Sequence, residues 1–177
     1  MRSLARRFLW TLLFVFPLVV RLAYGLDIRD DSYMQWNLVV SYVNDDFARD
    51  IAAGGGPWTL HRSPWYPLVV SWVYRLLGGQ PAMQMLQWVL GSAACVLVYV
   101  LARRLAGRSA ALLSWAIASL YGPALFYEGE LLEQACATFL LLAGLAALTD
   151  PAVRRVPWLM PAAGGALFGA AALLRPD

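Results

Sequence analysis

Three groups of residues in this chain could do chemistry. The first is Asp30-Asp31. Adjacent carboxylates repel, which raises one pKa toward the range of a general base. The plainer reading is a helix start, where both charges favour the cap and the dipole. The second group is Tyr127-Glu128-Gly129-Glu130-Leu131-Leu132-Glu133, which holds all three glutamates of the chain. Glu133 is expected inside the start of an apolar span, where a carboxylate is costly and usually functional. Glu128 and Glu130 also suit a solvated turn. The third group is cationic: His61, Arg62 and Arg75, with Arg21. Cations among aromatic residues suit a phosphate or pyrophosphate group. Arg21 and Arg75 would equally serve by snorkelling to an interface, and His61 as an ordinary loop residue.

The elements that must position these groups are apolar. Of 177 residues, 60% are hydrophobic and 14% charged, with a mean hydropathy of +0.58. Soluble domains average about half and about a quarter. A disordered chain and an ordinary soluble domain are excluded on that ground. All 14 basic residues are arginine and the net charge is only +3, so no nucleic-acid partner is expected. Cys95 and Cys136 lie deep in apolar runs without metal-ligand spacing. Neither a phosphate-binding G-x-x-x-x-G-K-[ST] nor a G-x-S-x-G occurs.

A bilayer core about 30 Å thick takes roughly 20 apolar residues of helix. The expected fold is an all-α membrane protein, one membrane domain over residues 1–177, with about five transmembrane helices. They fall near 8–26, 83–102, 110–126, 131–148 and 156–174. The first reads as an uncleaved signal anchor, because its apolar stretch is too long for a typical signal peptide. The second holds no charge and only Gln84, Gln87 and Ser92 as strong polar groups. In the fifth, Gly165 and Gly169 are spaced for close helix contact. The positive-inside rule puts the N-terminus in the cytoplasm, with Arg2, Arg6, Arg7, Arg103, Arg104, Arg108, Arg154 and Arg155. The long loop 27–81 then faces outward, with Asp27, Asp30, Asp31, Asp45, Asp46 and Asp50.

That loop is not low in complexity. Ser32-Tyr33-Met34-Gln35 is a capping box. Apolar residues follow at Trp36, Val39, Val40, Val43, Phe47 and Ile51, and Gly54-Gly55-Gly56-Pro57 ends the pattern. An amphipathic helix over about 32–53 is expected, lying on the membrane or on the spans. On it Asp45 and Asp46 face Arg49 as a solvated ion-pair stripe. Trp65 to Leu77 is too short to span and contains Pro67 and Arg75, which points to an interfacial or re-entrant helix. The segment from Trp58 to Pro67 between them is aromatic, basic and stiffened by Pro64 and Pro67.

The order of these features resembles the N-terminal part of bacterial GT-C membrane glycosyltransferases. The similar group is the dolichyl-phosphate-mannose–protein mannosyltransferase-like one, glycosyltransferase family 39 and its aminoarabinose-transferase-like relatives. The residues that carry the resemblance are Asp30-Asp31-Ser32-Tyr33, Arg62-Ser63-Pro64-Trp65-Tyr66-Pro67-Leu68, Arg75-Leu76-Leu77-Gly78, Leu101-Ala102-Arg103-Arg104-Leu105-Ala106-Gly107-Arg108, Tyr121-Gly122-Pro123 and Glu128-Gly129-Glu130-Leu131-Leu132. The ordered set covers nearly the whole chain.

The resemblance implies a polyprenyl-phosphate-linked sugar donor and transfer, on the outer face of the cell membrane, to a protein, lipid or polysaccharide hydroxyl. It implies Asp30 or Asp31 as base, and Glu128 or Glu130 as the acid of the second outer loop, with Glu133 aligned less closely. It places Arg62, Pro64, Tyr66 and Pro67 near donor or acceptor. His61 and Arg21 complete the candidate binding set, with Arg62 and Arg21 facing the departing phosphate. No cofactor is implied, and a divalent metal is left open. Complete members of the group have about twice as many spans or more, so the chain is expected to be a truncated portion. The competing expectation is a non-catalytic polytopic protein, a transporter half or an assembly subunit, which would place polar groups near the membrane midplane.

Overall fold

A computed structural model describes residues 2–28, 39–55, 63–150 and 158–174. These residues form helices and turns, without a strand among them. The helices are α1 (Arg2–Ile28), α2 (Val39–Ala52), α3 (Trp65–Leu77), α4 (Gln80–Ser119), α5 (Gly122–Gly129), α6 (Gln134–Leu148) and α7 (Leu159–Leu174). Two are long and apolar enough to cross a membrane: α1 over Arg7–Ile28, and α4. A third is added if α5 and α6, bent by 120° at their junction, count as one broken span. In the apolar window of α1 only 17% of residues are buried. Phe8, Leu12, Val15, Phe16 and Val19 therefore face outward from the protein.

Gly107 divides α4. Its φ of 87° and ψ of −173° are non-helical, a conformation that favours glycine. In a straight helix Cys95 and Ser119 would be about 36 Å apart at 1.5 Å per residue. Instead Cys95 lines one cleft together with Ser114 and Ala118, and Tyr99 and Ala111 share one buried cluster with Leu13 of α1. The chain thus turns back at Gly107 into two antiparallel arms, 80–106 and 108–119.

Proline placement sets two further irregularities. Pro17 inside α1 cannot donate to the carbonyl of Leu13. The Trp115 indole N–H donates to that carbonyl instead, at 2.9 Å. Pro123 occupies the first turn of α5, after an extended Tyr121. The apolar run 110–126, expected as one helix, is therefore broken at Leu120-Tyr121. The run expected from Leu131 begins as helix only at Gln134, and the run expected from Val156 is described as helix from Leu159.

Helices α6 and α7 pack antiparallel. A Cβ on Gly144 would stand 3.3 Å from the carbonyl oxygen of Gly164, and the reverse distance is also 3.3 Å. Gly144 and Gly164 are the close-contact glycines here. Nothing lies within 4 Å of a Cβ built on Gly165 or Gly169, so the expected spacing pointed to the wrong pair.

The expected helix in the long loop ends as the glycines require, with Gly54 at φ 87° after α2. Its start near Ser32 lies outside the described residues. Its buried face also differs from expectation. Ser41, Asn44 and Ala48 are sealed, while Val40, Val43, Phe47 and Ile51 are only half-buried. Helix α3 has the expected bounds, closed by Gly78 at φ 96° with its N–H donating to Tyr74. The pair α2–α3 is held by polar contacts. The Tyr74 hydroxyl donates to Asp45 Oδ1 at 2.5 Å, and Arg49 Nε donates to Asp45 Oδ2 at 2.9 Å. Arg75 donates to the carbonyls of Ile51 and Ala52 and so caps the C-terminus of α2.

Candidate functional site

The glutamate segment is where the elements converge. Residues 130–133 leave helical geometry between α5 and α6. Backbone freed in this way needs partners when it is shielded from water. Every carbonyl from Gly129 to Leu132 has one. Gln84 Nε2 donates to Gly129 at 3.0 Å, and Gln87 Nε2 donates to Glu130 and Leu132, both at 2.9 Å. Asn44 Nδ2 donates to Leu131 at 2.9 Å, while the Leu131 N–H donates to Ser41 Oγ at 2.8 Å. The polar groups of the second apolar run and the buried face of α2 thus hold one short strap of chain. This is why α2 seals Ser41 and Asn44 rather than its apolar stripe.

Directly before the strap, Glu128 meets Arg21 of α1. Arg21 Nε lies 2.5 Å from Oε2 and Nη2 2.9 Å from Oε1, a two-pronged pair. Arg21 Nη1 also donates to the Pro17 carbonyl at 3.2 Å, and Nη2 lies 3.6 Å from Cys95 Sγ. Arg21 is 1% exposed and Glu128 7%. Neither snorkels or floats in solvent. Gly91 of α4 makes the room: a Cβ there would fall 2.3 Å from Glu128 Oε2. Removing one partner of such a buried pair typically costs about 3–5 kcal/mol, because the other charge is stranded.

The remaining candidates are placed as follows. Glu130 is 2% exposed, and its Oε2 finds no hydrogen-bond partner among the described residues. Glu133 stands at the N-cap of α6, just outside the helix it was expected to enter. Tyr66 is 2% exposed, in a cluster with Val70, Met83, Leu131 and Cys136. Burial, with Cys136 and Glu133 beside it, pushes its phenol well above the ordinary value. It is a core residue rather than an open contact. Pro64 caps the start of α3 and is exposed. Asp30, Asp31, His61 and Arg62 lie outside the described residues.

An open cleft of about 530 Å³ reaches the ion pair, with Gly91, Cys95, Tyr121 and Thr138 in its walls. A smaller one of about 230 Å³ adjoins Glu128, lined by Tyr127 and Gln134 among others. The site therefore offers a fixed charge pair, a buried carboxylate oxygen and space for a ligand at one end of the helices. Sequence reading singled out Arg21, Glu128 and Glu130 but not their mutual geometry. It missed Gly91, Cys95, Ser41 and Asn44 as parts of the site. The one available signal was Gln84 and Gln87, two amides three positions apart in a run otherwise nearly free of polar groups. No family model, no curated protein and no solved structure matches the chain.

Proposed function

We propose that this chain is a membrane glycosyltransferase module that uses a polyprenyl-phosphate-linked sugar, of the GT-C type that its motifs resemble. The observation that carries the reading is the gathering of acids and a paired arginine at one end of the helix bundle. Arg21 and Glu128 line an open cleft there, and Glu130 is buried two residues further along the chain.

In this reading the chain crosses the cell membrane five times with its N-terminus in the cytoplasm. The contacts are consistent with alternating spans. Arg104 ties the turn at Gly107 to the C-terminal end of α6, through Ala146, Thr149 and Asp150. Ser63 Oγ, at the head of α3, donates to Leu173 at the far end of α7. Each tie joins segments that the topology puts on one side.

The chemistry is a displacement at the anomeric carbon. Asp30 or Asp31 takes the proton of the acceptor hydroxyl, on a protein, lipid or polysaccharide. The new C–O bond forms as the bond to the polyprenyl phosphate breaks. Arg62 neutralises the departing phosphate. A single displacement inverts the sugar. Glu128 orients Arg21 at the edge of the cleft, and Glu130 is the free acid of the second loop.

The test supplies membranes holding the chain with labelled polyprenyl-phosphate sugars and follows label into acceptor. Asp30→Asn with Asp31→Asn is expected to lower transfer by at least about 100-fold, the lower range for loss of a general base. Undiminished transfer would remove the base assignment. Absence of any transfer by the unsubstituted chain, with every donor tried, would sink the reading.

A second reading is a non-catalytic polytopic protein. The broken α5–α6 pair favours it, since discontinuous helices near buried charges also build transport sites. Vesicles that accumulate a solute through the chain, without sugar transfer, would select it.

A further inference from the structure

The opposite end of the bundle carries a feature that sugar transfer does not use. An open groove of about 820 Å³ lies there between α1 and the part of α4 that flanks its turn at Gly107. Leu9 and Trp10 line its apolar side, and Arg103, Arg104 and Arg108 its cationic side, with Tyr99 between them. Trp10 and Tyr99 meet edge to face with ring centroids 6.1 Å apart. Arg103 Nη1 donates to the Tyr99 hydroxyl at 3.2 Å, and its guanidinium carbon lies 5.9 Å from that ring's centroid.

The three arginines are not equivalent. Arg104 is committed to Asp150 and to the end of α6. Arg103 and Arg108 are exposed and lie in no ion pair among the described residues. Two exposed guanidinium groups without a carboxylate partner among the described residues, Arg103 resting on Tyr99, form a graded surface with the aromatic and apolar wall. The cationic part fits a phosphate, which arginine binds through paired N–H groups. The apolar part fits an acyl chain. A free phosphate would leave the Leu9–Trp10 wall unused, so the gradient selects a lipid.

We propose that this groove binds an anionic phospholipid of the leaflet on the arginine side, its phosphate between Arg103 and Arg108 and the start of an acyl chain along Leu9 and Trp10. The placement rests on the membrane reading of α1 and α4, and is independent of any catalytic role. Basic pockets between helices on the cytoplasmic side are suited to such headgroups.

The experiment is native mass spectrometry of the full chain released from nanodiscs of equal phosphatidylglycerol and phosphatidylcholine. The unsubstituted chain is expected to retain phosphatidylglycerol about tenfold over phosphatidylcholine. Arg103→Gln with Arg108→Gln is expected to abolish that preference, because a loss of about fivefold per arginine more than covers it. Arg103→Lys with Arg108→Lys, which keeps the charge, should retain most of it. Arg49→Gln, at the other end, should change nothing. Circular dichroism in the same discs reports whether each variant stays helical. Equal retention of the two lipids by the unsubstituted chain overturns the proposal, whatever the variants do. Displacement of phosphatidylglycerol by inorganic phosphate alone overturns the lipid assignment. A preference that survives in a helical double glutamine variant overturns the role of Arg103 and Arg108.

Discussion

Arg21 and Glu128, 107 positions apart in the chain, share two hydrogen bonds at 2.5 and 2.9 Å inside the helix bundle. This pair ties α1 to the last turn of α5 and sets the floor of the candidate site. Its two members depend on each other. Arg21→Met or Glu128→Leu alone should each destabilise the chain by about 3–5 kcal/mol. The two together should cost clearly less than the sum, because no charge is then stranded. Unfolding in mixed detergent micelles measures the cycle. Additive single effects would show that the pair carries no coupling.

Gly91 is the second prediction. Gly91→Ala would drive a methyl into the Glu128 carboxylate. A destabilisation of about 1–3 kcal/mol is expected from such overpacking. Gly165→Ala and Gly169→Ala meet open space, so they should be neutral or slightly stabilising, as alanine is the better helix former. Thermal unfolding of the three variants side by side checks the contrast. Equal losses at all three positions would contradict the placement of α4 against α5.

Trp115 serves a carbonyl that Pro17 leaves without a backbone donor. Trp115→Phe should therefore cost about 1–3 kcal/mol beyond lost packing, the penalty for an unpaired buried acceptor. In a Pro17→Ala background the backbone N–H returns to Leu13 and the same change should cost less. The difference between the two backgrounds is the measurement. An identical cost in both would mean that the indole N–H contributes nothing there.

The α2–α3 pair should respond to alkaline pH. Burial pushes the Tyr74 phenol above its ordinary value, and its hydrogen bond to Asp45 and that carboxylate's charge push it further. A raised phenol pKa favours the protonated, folded form. The resulting stability is fully present below about pH 10, the ordinary value, and declines as pH rises beyond it. Hydrogen exchange in α2 and α3 should accelerate over that range more than the intrinsic rate. Tyr74→Phe should remove the extra acceleration. An unchanged profile in that variant would assign the effect to another group.

Much of the secondary structure was legible in one dimension. Helix α3 follows from a hydrophobic run between Pro64 and Gly78, because proline fixes a helix start and glycine supplies the left-handed stop. The end of α2 follows from Gly54 in the same way. The second apolar run is helical because nothing in it competes with backbone pairing, and the first is helical despite Pro17. The breaks were harder to see. At Leu120-Tyr121 the residues are as apolar as their neighbours, and at 130–133 two leucines stand between two glutamates, so hydropathy misses the first stop and restarts the second helix too early. Only Pro123 hinted at the first break, and the turn-like Glu128-Gly129-Glu130 at the second.

The residue types alone determined that the chain is helical and apolar, that its charges sort toward segment ends, and that Arg21 and the three glutamates lie in or beside apolar runs. Which charge meets which partner was decided by tertiary structure. Arg21 had snorkelling, a phosphate and three glutamates open to it, and spacing along the chain ranks none of them. The turn at Gly107, the room left by Gly91 and the strap held by Gln84, Gln87, Ser41 and Asn44 bring Glu128 within 2.5 Å. A buried ion pair forms only where several elements, each unaware of the others in sequence, exclude water from the same few ångströms.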